Sequence, residues 1–338
     1  MKKFFILLIF ALSGTAWAGD YEDGVAAYEK KDYKTALAKF SQLAKQGDAE
    51  AQFNLGVMYS NGQGVAQDYR AAARWYTQAA HQGVASAQSN LGLSYENGQG
   101  VVQDYREAMR WYTLAAEQGY AKAQFNLGVM YSNGQGVAQD DRTAVRWYTL
   151  AADQGHSSAQ FLLGMMYSNG QGVAQDYRAA VRWYTLAAEK GNAIAQVNLG
   201  AMYHSGQGVI QDYRLAVRWY TLAAEQGAAK AQLNLGMMYD TGKGVTQDYR
   251  AAVRWYTLAA EQGNANAQSN LGVMYGNGQG VLQDNLRAHM WLNIAAANGA
   301  TLGPKNRDVV ASKMSVQQIE RAQQMARDCM ARGYKNCN

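Results

Sequence analysis

The stretch NLGVMYSNGQGVAQDYRAAARWYTQAA, Asn54 to Ala80, returns almost unchanged as NLGVMYSNGQGVAQDDRTAVRWYTLAA from Asn126 to Ala152. The tryptophans inside it fix the period: Trp75, Trp111, Trp147, Trp183, Trp219, Trp255 and Trp291 are each 36 residues apart. A fixed period of this size marks a stacked array, so it governs every local reading that follows. Seven repeats run from Asp48 to Gly299 without insertion or deletion. Their common frame, numbered in the first repeat, is Ala51, Gln52, Leu55, Gly56, Tyr59, Gly62, Gly64, Val65, Gln67, Asp68, Ala72, Trp75, Ala79, Ala80 and Gly83.

Within a repeat the spacing predicts two helices. Ala51, Leu55 and Tyr59 lie at i, i+4 and i+8, a stripe on a helix from about Ala49 to Asn61. Gly62-Gln63-Gly64 ends it, because glycine accepts the left-handed conformation at a helix terminus. Asp68 suits the N-cap of a second helix, on which Ala72, Trp75 and Ala79 share a face, and Gly83 closes the hairpin. Gly56 stands inside the first helix, where it costs about 1 kcal/mol relative to alanine. Its return in all seven repeats points to a close approach of the second helix. One such hairpin cannot bury its own apolar face, whereas stacked neighbours can.

The ends depart from the frame. Residues 1–18 join a basic start (Lys2, Lys3), an apolar run from Phe4 to Leu12 and the small-x-small motif Ala16-Trp17-Ala18, the pattern of a cleaved signal peptide. Residues 19–47 contain DYKTALAKF from Asp32, which aligns with DYRAAARWY from Asp68 and places Lys39 at the tryptophan position; they read as an N-terminal capping hairpin. The repeats fill 48–299. Residues 300–338 carry the lone proline, Pro304, and a capping-box spacing at Ser315–Gln318 ahead of Ile319 to Arg332, which reads as C-terminal capping helices.

Composition narrows the function class. The chain has 31 Lys plus Arg against 26 Asp plus Glu. Loss of Lys2 and Lys3 with the leader leaves 29 against 26, about +3, too balanced for a nucleic-acid binder. After the leader no stretch is apolar enough to span a bilayer. The expected location is the periplasm or the cell exterior, and Cys329 and Cys337, the two cysteines of the chain, are expected to pair there.

The repeated pattern A-x-x-x-L-G-x-x-Y-x-x-G-x-G-V-x-x-D-x-x-x-A-x-x-W-x-x-x-A-A-x-x-G resembles the Sel-1-like repeat family, relatives of the tetratricopeptide repeats. The resemblance implies an all-α fold, a right-handed α-solenoid (superhelix) of helix-turn-helix repeats. It also implies an adaptor or scaffold role; exported bacterial members are associated with host-protein binding, virulence or envelope regulation. In tetratricopeptide-like arrays the first helix lines the concave groove, with an asparagine just before Leu-Gly facing it. The matching residues here are Asn54, Asn90, Asn126, Asn198, Asn234 and Asn270, interrupted by Leu162 in the fourth repeat. An amide both donates and accepts, so such a ladder can pair with an extended peptide backbone; the alternative is that the amides bond within the array. The preceding position varies from repeat to repeat, and Phe53, Phe125 and Phe161 there are candidate aromatic anchors, or packing between neighbours.

The second helices carry arginine pairs such as Arg70/Arg74 and Arg178/Arg182, read as a solvated face with inter-repeat ion pairs to Glu117, Asp153, Glu189, Glu225 and Glu261. No catalytic, cofactor or metal constellation stands out. His81, His156, His204 and His289 occupy different repeat positions and read as surface or rim residues. Cysteine-rich relatives described as β-lactamase-like carry a disulfide in each repeat; this chain carries none there and no Ser-x-x-Lys. The expectation is a non-enzymatic, exported scaffold without cofactor that binds a protein or peptide in its groove. A periplasmic regulator docking on an envelope sensor is the alternative, and a cell-wall or β-lactam hydrolase the alternative from another class.

Overall fold

The computed structural model describes residues 19–337, all helix and connecting turns. The signal peptide expected over residues 1–18 lies outside the described residues. Two compact units divide the chain. The first takes in the described residues up to Ala159 with Gln171–Ala174, the second Gln160–Gly170 with the chain from Gln175 onward.

In the first unit a helix over residues 19–29 (α1) precedes α2 (Tyr33–Lys45). Three hairpins follow: α3 (Ala49–Asn61) with α4 (Tyr69–His81), α5 (Ala85–Asn97) with α6 (Tyr105–Glu117), and α7 (Ala121–Asn133) with α8 (Asp141–Asp153). Each hairpin also packs on its predecessor, α3 on α2, α5 on α4 and α7 on α6. Most of α9 (Ser157–Asn169) and all of α10 (Tyr177–Glu189) belong to the second unit. There α11 (Ala193–Ser205) pairs with α12 (Tyr213–Glu225), α13 (Ala229–Thr241) with α14 (Tyr249–Ala260), and α15 (Ala265–Asn277) with α16 (Asn285–Ala297). The last two helices, α17 (Gly303–Ala311) and α18 (Val316–Ala331), both pack on α16. Pro304 opens α17, where its missing N–H costs nothing, and Ser315 and Gln318 cap α18 reciprocally.

Local chemistry sets the helix ends. Asp68 caps α4, its carboxylate accepting from the Arg70 and Ala71 amides at 2.9 and 3.0 Å. Gly62 ends α3 at φ +67°, left-handed as its spacing predicts. The second glycine of the same turn has a different task. A Cβ on Gly64 would strike the Tyr33 carbonyl at the start of α2, so the turn lies directly on the helix before it.

Packing corrects the predicted stripes. The buried face of α3 is Ala51, Leu55 and Met58, with Met58 wholly buried and Tyr59 only half-buried. On the second helices Tyr76 and its counterparts plug the hairpin from within. A Cβ on Gly56 would sit 2.6 Å from the Tyr76 ring, and 2.5–2.8 Å separates such a Cβ from the tyrosine at Gly92, Gly128, Gly164, Gly200 and Gly236. At Gly272 the plug is Leu292, at 2.7 Å. Tryptophan acts between hairpins: Trp111 packs with Ala72, Tyr76 and Leu91, and Trp255 with Tyr220 and Leu235. The arginine preceding tryptophan covers it, with Arg110, Arg182, Arg218 and Arg254 4.9–5.6 Å from the indole centroids. The expected inter-repeat ion pairs do not form: among the described residues no arginine of these stripes pairs with Glu117, Asp153, Glu189, Glu225 or Glu261. Arg110 bonds instead to Glu107 on its own helix, 2.9 Å away. Lys39, at the tryptophan position of α2, ties to Asp20 and Asp23 of α1 at 2.6 and 3.3 Å.

Candidate functional site: a row of half-buried amides

Two amide series run along the first helices, two residues apart, and they behave differently. Gln52 is 4% exposed and bonded at both ends. Its Nε2 donates to the Ala44 carbonyl of the preceding hairpin at 3.2 Å, and its Oε1 accepts from Gln82 Nε2 at 2.8 Å. The same stitch recurs at Gln88 with Ala80 and Gln118, and at Gln124 with Ala116 and Gln154. In the second unit it recurs at Gln196 with Gln226, Gln232 with Gln262, and Gln268 with Asn298. One side chain thus ties three helices, a role that sequence reasoning missed although Gln52 belongs to the frame.

The asparagines form the second series, and all six are half-buried. Asn54 donates to the Tyr21 hydroxyl at 3.0 Å. Asn90 and Asn126 in the first unit lie against the hydroxyls of Tyr76 and Tyr112, and Asn198, Asn234 and Asn270 in the second against those of Tyr184, Tyr220 and Tyr256. Burial pushes Tyr184 and Tyr220 up to about 12, with Asn198 and Asn234 pulling the other way. Tyr148, in the first unit, has Ser132 as its polar neighbour, and burial followed by the Asp141 charge raises its pKa.

Part of the variability between repeats serves these tyrosines. Tyr112 donates to Glu96 at 2.6 Å and Tyr256 to Asp240 at 3.3 Å, so two of the variable polar positions are acceptors for a buried hydroxyl. Burial, then Glu96, drives Tyr112 far above the ordinary phenol range; burial, then Asp240, does the same to Tyr256.

The three phenylalanines are half-buried and packed on the tyrosine of their own hairpin. Phe53 lies 6.1 Å from Tyr76, Phe125 5.9 Å from Tyr148 and Phe161 6.1 Å from Tyr184. Phe125 also stacks on His156 at 4.5 Å. His204 leans on Tyr213 and His81 on Trp111. His289 departs from the rim position expected of it. It is 2% exposed on α16, the helix that α17 and α18 cover, and its Nδ1 has no partner. Burial, followed by the Arg307 charge, lowers its pKa against the pull of Asp308. Among the described residues no three His, Cys, Asp or Glu side chains converge to hold a metal ion, and no helix is long and apolar enough to cross a membrane. Cys329 and Cys337 form a disulfide, buried against the last repeat.

A family model described as the Sel1 repeat matches residues 49–84, 85–120, 121–156, 157–192, 193–227, 229–264 and 265–299. None of the curated proteins matches. Among solved structures, a Sel1 repeat protein from Oxalobacter formigenes is 37% identical over 71% of this chain and 99% of its own, with a TM-score of 0.64. A protective antigen of uropathogenic Escherichia coli strains, displaying an SLR fold, is 28% identical over 98% of this chain and 95% of its own, with a TM-score of 0.58. Sel1 repeat proteins generally serve as protein-interaction scaffolds. Seven matched repeats, each folded as the hairpin that its frame dictates, place the chain in the Sel1 repeat family.

Proposed function

We propose that this chain is an exported, non-enzymatic scaffold that holds a protein or peptide partner along its first helices. The row of half-buried asparagines carries the reading. Each amide rests on a tyrosine hydroxyl, which fixes its position, yet it keeps hydrogen-bonding capacity beyond that contact. An amide can both donate to and accept from a peptide main chain whatever its sequence, so such groups suit an extended partner. Phe53, Phe125 and Phe161 beside it supply apolar anchor surface. Export rests on the leader motif in residues 1–18 and on the Cys329–Cys337 bond, which belongs to an oxidising compartment. The protective antigen with an SLR fold, similar over nearly the whole chain, favours a setting at the host interface over envelope regulation.

The test compares wild type with the Asn126→Ala/Phe125→Ala/Phe161→Ala variant as bait in host secretions and in periplasmic extract. Partners that are recovered by wild type and lost by the variant support the proposal. Equal recovery by both removes the amide row as the binding site.

A further inference from the structure

The second repeat breaks the frame at a buried position. Met58, Met130, Met166, Met202, Met238 and Met274 occupy one place in six repeats and are 0–4% exposed. Ser94 stands there in the second, 7% exposed, its hydroxyl turned back to the Asn90 carbonyl at 3.0 Å. Beside it lies a cavity of about 200 Å³ lined by residues of α3, α4 and α5. Val57, Ala72 and the Tyr76 ring form its apolar wall, with Asn90 and Ser94 opposite. Tyr76 has Ser60 and Asn90 as polar neighbours, so its hydroxyl is already served. Asn61 and Gln99, both exposed, stand at the mouth. No charged side chain lines the cavity, which disfavours an ionic occupant.

The occupant's chemistry is written in the sister repeats. In four repeats an unbranched thioether packs with the second-helix tyrosine of the hairpin before it, Met130 with Tyr112, Met202 with Tyr184, Met238 with Tyr220 and Met274 with Tyr256; such a side chain adapts to irregular gaps and packs well on an aromatic ring. We propose that the Ser94 cavity is an anchor pocket for a methionine, or a similarly unbranched apolar side chain, of a bound peptide, with the Asn61 and Gln99 amides meeting the peptide main chain at the mouth. The pocket would fix the register of a partner on the amide row, and in that sense it rests on the binding function proposed above.

Ser94→Met is the natural test, because it restores the residue that six repeats already accommodate. The full chain is used to select from a random peptide display library. An enriched sequence is then made as a capped peptide with methionine, norleucine or alanine at its shared apolar position. The proposal expects a common methionine-like residue, affinity kept by norleucine, and a roughly ten- to hundredfold loss on change to alanine. A comparable loss is expected when the methionine peptide meets the Ser94→Met chain. Peptides that bind wild type and Ser94→Met equally overturn the pocket while leaving partner binding intact. Failure to enrich any peptide above background overturns both. The alanine and norleucine peptides keep the test decisive even if Ser94→Met were to disturb the fold.

Discussion

Gln52 and Asn54 sit two residues apart on one helix, carry the same functional group, and recur together in most repeats, yet they live in different physical regimes. The glutamine seam is buried, and in six repeats its side chain bonds to a backbone carbonyl of the preceding hairpin and to the end of its own. The asparagine row is half-buried and leans on tyrosine hydroxyls. A buried amide with both ends bonded fixes the stack, and its removal strands partners in a dry environment. A half-buried amide with capacity left over is free to serve a ligand. Repetition alone does not separate structure from function; burial and bonding do.

The sharpest break lies in the aromatic layer around these rows. Trp183, 8% exposed and covered by Arg182, belongs to the packed side, so Trp183→Ala should cost about 3–5 kcal/mol. Phe161, half-buried on Tyr184 in the same compact unit, should cost about half as much when changed to alanine. Urea unfolding of the two variants measures both. Equal losses would mean that the phenylalanine is a packing residue rather than an available anchor.

One step down, Gln124→Ala should lower stability by about 1–3 kcal/mol, because it leaves the Gln154 amide and the Ala116 carbonyl short of a partner. Asn126→Ala should stay within about 0.5 kcal/mol of wild type. A larger loss for Asn126→Ala than for Gln124→Ala would reverse the assignment of the two rows. A double-mutant cycle over Gln124 and Gln154 should return a coupling of about 1 kcal/mol, since the two share a direct bond of 2.7 Å. Zero coupling would reduce the seam to bystanders.

The comparison also marks where sequence reading stops. The period, the Asp68 cap and the Gly62 stop are local events and were legible. So was Gly56, because seven repeats accepting the same cost need a common reason. The buried stripe was read one residue off, and helix geometry explains why: at about 100° per residue, Met58 falls about 20° from Ala51 around the axis and Tyr59 about 80°. Invariance favoured Tyr59, since Ser94 interrupts the methionine series. The glutamine seam was hidden for another reason. Its bonds join residues eight and thirty positions apart on three helices, and no short-range rule links them. His289 reads as a rim residue from its type alone, yet it is buried on α16, against which α17 and α18 pack.

At high pH the two rows can be told apart by titration, and the difference between their variants should be small. Tyr184 and Tyr220 are raised from the ordinary phenol value of 10.0 to about 12, because burial penalises the phenolate more than Asn198 and Asn234 favour it. A raised folded-state pKa means that the folded chain holds its proton longer than the unfolded one. The stability from these groups is therefore complete below pH 10 and is lost as pH climbs from about 10 through about 12. Each tyrosine contributes a slope of up to about 1.4 kcal/mol per pH unit in that window. Asn198→Ala removes a neighbour that favours the phenolate, so the Tyr184 titration should move higher still and the alkaline loss should extend further. Gln196→Ala, in the buried seam, should leave the tyrosinate absorbance curve where it is. An Asn198→Ala curve superimposable on wild type would show that the amide does not reach the hydroxyl in solution, and the row would lose the support that positions it.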